Sequence, residues 1–268
     1  MMSISRSQFY AFCQNRLSPR NEENQQLAVL IEKLYYQNKK RYGSPRMTSA
    51  LKDHGWNCGK NRIARIMRKQ GLRAYRSPRF IPTTTNSRHS YRVAPNRLAD
   101  HTVTTINQVW VADITYIRTM EGWMYLSVVM DYFSRRIVGW ALQDHMRVEL
   151  TLESLEKALK NRHPQPGLIH HSDQGTQYAS DRYQKLLACH QILPSMSRRG
   201  YCYDNAHIES FFGSLKSELN VLSQFESKDQ ACKEIFKYIE VDYNHTRIHS
   251  AIGYQSPIKF EKQLEIRA

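Results

Sequence analysis

From Gln108 the chain passes through three β-branched, aromatic stretches in quick succession: Val109–Ile117, Trp123–Asp131 and Arg136–Ala141. Only Met120-Glu-Gly122 and Tyr132-Phe-Ser-Arg135 separate them. Connections this short join antiparallel neighbours. The pattern then switches to helical spacing over about Arg147–Asn161, with Leu150, Leu152, Leu155 and Leu159 on one side. Pro164-Gln-Pro-Gly167 resets the chain for a strand over Leu168–Ser172. A helix over about Ser180–His190 and a short strand near Ile192–Ser195 follow.

Three antiparallel strands followed by alternating helix and strand make an α/β domain, a mixed five-stranded sheet with helices, in the order of an RNase H-like core. Asp113 interrupts the first strand, inside Val109-Trp-Val-Ala-Asp-Ile-Thr-Tyr-Ile117. An ionised carboxylate in such surroundings is costly unless something positive binds it. Asp173 ends a second apolar strand and is followed by Gln-Gly-Thr-Gln, which reads as a turn. A third acid lies in Ser197–Leu219, where a basic, glycine-containing loop leads to Asp204, a good helix N-cap. Ile208, Phe211, Phe212 and Leu215 then form an apolar stripe, with Asn205, Glu209 and Lys216 along its flank. Alone, that flank reads as a solvated charge pair. Thirty-five residues lie between Asp173 and Glu209. Asp131, another carboxylate at a strand end, is a rival third acid.

Charge divides the chain. The net charge is +15, and residues 1–100 hold 20 Lys/Arg against 5 Asp/Glu, which is the whole excess. A one-sided surplus of this size suits a polyanion. Within that region, Asn21 is placed to cap a helix carrying Leu27, Leu30, Ile31, Leu34 and Tyr35 inward. Ser44 and Pro45 open a second helix. A third, Lys60–Gln70, turns Ile63, Ile66 and Met67 inward and Lys60, Arg62, Arg65, Arg68 and Lys69 outward. Three short helices with a basic last one form a small all-α, helix-turn-helix-like region over 1–72, which reads either as a plain protein contact or as a DNA-binding domain making mostly phosphate contacts. Residues 73–105, with Pro78, Pro82, Pro95 and six arginines, form a basic linker. The α/β core is expected over 106–222. A C-terminal helical extension over 223–268 has helical patterning from about Ser227 to Asn244, a turn over Tyr243–Ser256 and a last helix over about Pro257–Leu264. The five cysteines contain no Cys-x-x-Cys pair and suit reduced thiols in the cytosol. No apolar run is long enough to span a membrane.

Four motifs carry a resemblance: Trp110-Val-Ala-Asp-Ile-Thr-Tyr116, His171-Ser-Asp-Gln-Gly-Thr-Gln-Tyr178, Ser197-Arg-Arg-Gly-Tyr-Cys-Tyr-Asp-Asn-Ala-His-Ile-Glu-Ser-Phe-Phe212 and Tyr243-Asn-His-Thr-Arg-Ile-His-Ser-Ala-Ile-Gly-Tyr254. In order and spacing they resemble the DDE transposases and retroviral integrases. Within that superfamily they resemble the second-frame product of the frameshifting bacterial insertion sequences. The resemblance implies a catalytic triad of Asp113, Asp173 and Glu209. It implies two Mg²⁺ (or Mn²⁺) ions, with Asp113 bridging both, in a two-metal phosphoryl transfer. It also implies DNA contacts from Lys216, Arg198, Arg199, Asn205, Arg247 and His249. The partners implied are the element's terminal inverted repeats, target DNA, further copies of the chain and an upstream-frame product as fusion or partner. The place implied is the bacterial cytoplasm, on the nucleoid when DNA is bound. Two rival readings stay open: an RNase H-like nuclease acting on hybrids, and a DNA-binding regulator that does no chemistry.

Overall fold

The computed structural model describes residues 6, 9–10, 18–74, 91, 93–99, 101–197, 205–219 and 225–267. The chain divides into two compact units, Met1–Tyr75 and Arg76–Ala268.

The first unit contains α1 (Pro19–Gln37), α2 (Ser44–Asp53) and α3 (Lys60–Lys69). Ser18, not Asn21, caps α1: its hydroxyl accepts the Asn21 N–H at 3.3 Å, and Pro19 takes the first turn, where its missing N–H costs nothing. Gly43 holds the cap position of α2, so Ser44 lies one residue inside the helix expected to begin with it. Leu27, Ile31, Leu34, Met47, Leu51, Ile63 and Met67 are buried and form the unit's core. Ile66 is only half-buried. Gly71, at φ +68, ends the segment in the left-handed region that glycine enters without strain. Tyr35 Oη donates to the Arg73 carbonyl at 2.6 Å and Gln70 Nε2 to the Ala28 carbonyl at 3.0 Å, tying the last residues back to α1.

The second unit is built on a sheet of β1 (Val109–Thr119), β2 (Gly122–Asp131), β3 (Ile137–Gln143), β4 (Ile169–Ser172) and β5 (Leu193–Met196), in the order β3-β2-β1-β4-β5. β1 is antiparallel to β2, and β2 to β3, while β4 is parallel to β1 and β5 to β4. Successive side chains alternate between faces. Trp110, Ala112 and Val129 therefore meet α4 (Val148–Arg162), the single turn α5 (Thr176–Ala179) and α6 (Asp181–Cys189). Val109, Val111, Val128 and Met130 face α7 (Ala206–Glu218) and α8 (Lys228–Phe236). Gly139 permits the close approach of α4 to β3: a Cβ there would lie 2.2 Å from the Ser154 carbonyl oxygen.

Both sheet edges are blunted. On β5, Pro194 removes a ladder donor. On β3, the Asn244 side chain takes the place of a strand, accepting from Ile137 N–H and donating to Ile137 C=O, both at 3.0 Å. Asn244 belongs to a π-helical stretch, Lys237–Thr246, that continues α8. The helix expected over Ser227–Asn244 thus changes winding at Lys237. The segment after Asp173, expected as a turn, winds into α5 from Thr176. The last helix, α9 (Pro257–Arg267), delivers the buried Glu261 to Ser134, Arg136 and Arg162. Asp131 is fully buried and accepts from the N–H groups of Asn107, Phe133 and Ser134, which fixes the β2–β3 turn. No helix among the described residues is long and apolar enough to cross a membrane.

Candidate active site

Register brings the two aspartates together. β1 and β4 pair through Val111 and His171, so the next two steps bring Asp173 level with Asp113. Asp113 shares its face of β1 with Val109 and Val111, the face that α7 covers. Its Oδ1 accepts the Ile114 N–H at 2.7 Å. Burial, the charge of Asp173 and the charge of Glu209 push its carboxyl well above the ordinary range, with Lys216 opposing. Asp173 Oδ1 accepts the Gly175 N–H at 2.9 Å, and a Cβ on Gly175 would lie 3.0 Å from that oxygen, so the glycine lets the loop fold tightly over the carboxylate.

Glu209 reaches this region from α7. Ile208, Phe211, Phe212 and Leu215 anchor the helix in the core, and Glu209 stays exposed, its carboxyl raised by partial burial. Lys216, seven residues on, lies within about 20° of Glu209 around the helix axis. Burial lowers its ammonium pKa, and Asp113 pulls it the other way. The Tyr178 phenol is also enclosed here. Burial raises it, as do the charges of Asp113 and Asp173, so it keeps its proton. Tyr178 falls within one of the sequence motifs, yet only its burial in the core and its coupling to both aspartates single it out.

The donor set suits a hard cation. Three carboxylates answered by one lysine leave an excess of negative charge, and oxygen ligands match Mg²⁺ or Mn²⁺. Among the described residues no three Asp, Glu, His or Cys side chains are drawn close enough to hold one ion between them.

Several residues expected at the DNA surface lie elsewhere. Arg247 is buried: Nε donates to Glu218 Oε1 at 2.9 Å, Nη2 to Ser214 Oγ at 2.8 Å, and the guanidinium lies over the Tyr243 ring. Glu218 is about 180° around α7 from Glu209. Arg247 therefore grips the side of the helix turned away from Glu209. His249 packs edge-on against Tyr243, with ring centroids 4.7 Å apart, and contacts Arg247. Asn205 holds the cap position of α7, without a side-chain cap hydrogen bond, and is buried. Arg62 turns back to Glu23 at 2.5 Å and Asn24 at 2.9 Å, joining α3 to α1. Lys60, Arg65, Arg68 and Lys69 do stand exposed on α3. Arg198, Arg199 and the expected cap Asp204 lie outside the described residues. His170, pushed down to about 3 by burial, is neutral and meets Tyr183 Oη at 3.1 Å, and His171 Nδ1 meets Ser195 Oγ at 2.8 Å.

A β3-β2-β1-β4-β5 sheet with acids on β1, after β4 and on α7 defines an RNase H-like integrase core, preceded by a helix-turn-helix-like domain. Family models agree: two integrase core models match residues 104–202 and 190–257, and an HTH-like model matches 22–80. Over 266 residues the chain is 40% identical to the Escherichia coli transposase InsF for insertion sequence IS3A, covering 98% of this chain and 92% of that one. It is 39% identical over 264 residues to an uncharacterised 31 kDa protein of insertion element IS600 from Shigella sonnei, covering 98% and 97% of the two chains. The chain belongs to the IS3-type insertion-sequence transposases, enzymes that act on DNA. Among solved structures, the HTLV-2 integrase catalytic core in complex with magnesium matches with a TM-score of 0.45 at 16% identity, covering 58% of this chain and 97% of that one. An intasome of simian T-cell lymphotropic virus matches with a TM-score of 0.48 at 15% identity, covering 86% and 74%.

Proposed function

We propose that Asp113, Asp173 and Glu209 jointly hold two Mg²⁺ ions and that the chain uses them to cut DNA at the ends of its own insertion element and join those ends to a target. In the cutting step, water adds to the scissile phosphorus and the 3′ oxygen leaves, giving a free 3′-hydroxyl. In joining, that 3′ oxygen attacks a target phosphorus and displaces the target's own 3′ oxygen, so one phosphodiester is made for each one broken. When bound, the ions supply charge stabilisation for the attacking and departing oxygens. Lys216 adds a cation on the same flank of α7 as Glu209 and contacts the DNA backbone near the reacting phosphate. Tyr178, protonated and buried, excludes water from around the aspartates.

The exposed Lys60, Arg65, Arg68 and Lys69 of α3 hold phosphates of the element's ends and contribute affinity more than base recognition. Arg198 and Arg199, just before α7 in sequence, are assigned to the same DNA. Two strand ends must meet one target, so the working form is a multimer of this chain, joined to or assisted by an upstream-frame product.

The observation that carries the reading is the β1–β4 register, which brings Asp173 level with Asp113, whose carboxyl is raised by burial and then by the charges of Asp173 and Glu209. The test is Asp113→Asn, assayed for strand transfer with oligonucleotides from the element's ends in Mg²⁺ and for its thermal shift on adding Mg²⁺ or Mn²⁺. The expected result is a loss of transfer of at least about a thousandfold, the scale on which electrostatic stabilisers of a transition state act, together with a loss of the metal-dependent rise in Tm. Full activity in Mg²⁺ would reject the triad.

A further inference from the structure

The β1–β2 ribbon outruns its neighbours. β4 pairs with β1 only as far as Val111, and β3 pairs with β2 only from Tyr125 onward. Beyond those limits the ribbon carries, on one face, Tyr116 opposite Tyr125 and Arg118 opposite Trp123. Residues directly opposite in an antiparallel pair share a face. Trp123 is 51% exposed and Met120, at the tip, 74%. The Tyr116 ring stands edge-on to both Trp123 and Tyr125, with centroids 6.2 and 5.1 Å apart, and the Arg118 guanidinium lies 5.7 Å from the Trp123 ring centroid. Each contact sets a ring edge against a ring face, and the half-exposed Trp123 still offers indole surface to solvent beside the Arg118 guanidinium. A folding argument does not account for this, since aromatic surface at a ribbon tip gains more by packing inward, as Met124 and Ile117 do on the opposite face. The nearby acids are already engaged: Glu121 accepts the Lys228 N–H at 2.7 Å and Asp144 accepts Lys228 Nζ at 3.1 Å.

We infer that this ribbon face is a stacking platform for unpaired nucleobases of the DNA strand that runs through the active site. The inference rests on the site reading above. Continuity with that site supports it: Tyr116 is three residues beyond Asp113 on the same strand, about 10 Å along it. The rings lie on the reverse face from the carboxylate, so a strand reaches them by passing around the edge of β1 between Val111, where β4 stops, and Arg118, where Phe225 bridges the strand. The composition also fits, because flat aromatic surface with an arginine is what binds single strands without regard to sequence, bases on the rings and phosphate on the cation. A duplex keeps its bases stacked on one another and gains nothing from such a surface, so the platform acts where the end is frayed or the flanking strand is opened.

The experiment uses the full-length chain without metal and two probes, a single-stranded oligothymidine and a blunt duplex. Fluorescence anisotropy gives the affinities. Trp123→Ala is expected to weaken binding of the oligothymidine roughly five- to hundredfold, as loss of one stacked base predicts. Trp123→Phe keeps a flat ring and should stay within about twofold of the wild type, and neither change should alter duplex binding. In parallel, an oligothymidine carrying 5-iodouracil is photo-crosslinked and the adduct mapped, with Tyr116, Trp123 or Tyr125 as the expected attachment points. Unchanged oligothymidine affinity in Trp123→Ala, equal losses on single strand and duplex, crosslinks confined to other regions, or a changed oligomeric state without a changed affinity would each overturn the platform. Strand transfer separates the two readings: Asp113→Asn is expected to lose it, while the platform is judged only on oligothymidine binding by the Trp123 variants. Failure of the platform leaves that loss standing, and failure of the triad shows as retained transfer.

Discussion

Asp113 illustrates how a single side chain sets the terms of the site. Its carboxyl is raised by burial first, then by Asp173 and Glu209. A raised folded-state value means that the native protein binds this proton more tightly than the unfolded chain does. Metal-free stability therefore falls as pH climbs from the ordinary carboxylate range through the raised value. Metal-free wild type should melt a few degrees lower at pH 7 than at pH 5 by this contribution, and Asp113→Asn should remove that part of the slope and melt higher at pH 7. Mg²⁺ should restore the wild-type Tm at pH 7. Scanning calorimetry at both pH values, with and without the ion, checks it, and a variant that keeps the wild-type slope would locate the proton elsewhere. Arg62 and Arg247 show the other side of residue-level reasoning. One lies on a basic helix and the other in a family motif, and both are expected to face DNA, yet each has an acidic partner at least twenty-nine positions away in the chain, Glu23 and Glu218.

At the scale of elements, α7 is held from three directions. Its apolar stripe enters the core, Arg247 grips Ser214 and Glu218, and the remaining flank carries Glu209 and Lys216. Gly213 lies on that flank, about 40° from Glu209 around the axis. It is exposed and mid-helix, and a Cβ there would meet nothing within 4 Å. Glycine at such a position costs a helix about 0.5–1 kcal/mol relative to alanine. Its presence makes sense if a DNA backbone passes close to the helix between Glu209 and Lys216. Gly213→Ala is thus expected to raise stability by about that amount in urea titration while lowering strand transfer about tenfold or more. An increase in both would remove the argument for close approach. Helix limits were readable in sequence to within a few residues because caps and apolar periods are local. The π winding from Lys237 was not, because it depends on Asn244 docking its amide on the backbone of Ile137, more than a hundred positions earlier.

At the scale of the molecule, Glu261 fastens the C-terminal helix to the core. It is 3% exposed and binds Ser134, Arg136 and Arg162, and Ser134 passes the contact on to Asp131. Burial alone would raise its carboxyl; the hydrogen bonds and charge of Arg162, with Ser134 and Arg136, more than offset this and hold it below the ordinary value. A depressed value means that its stabilisation is complete above the unfolded-state range and is lost as pH falls through the folded one. Glu261→Ala should cost about 3 kcal/mol at pH 7, since it leaves two guanidinium groups without their acid. The gap from wild type should close as pH falls below about 4. Denaturant titrations across that range test this, and a gap that is constant with pH would mean packing, not charge, is what the helix loses.

The order of strands and helices, the basic surplus in the first hundred residues and the three acids were all legible in the sequence, because strand alternation, helical period and charge are properties of neighbouring residues. Family resemblance then implied which acids to group. Which polar side chains face outward was decided only by tertiary packing. Arg62, Asn205 and Arg247 turned inward, while Tyr178 came to be buried and coupled to two aspartates, and Tyr116, Arg118 and Trp123 were left on a ribbon that extends past its sheet. The physical reason is that a buried or half-buried polar group takes its partner from whatever the fold brings within hydrogen-bond reach. Such partners lie tens to more than a hundred positions away, beyond the range of any local pattern.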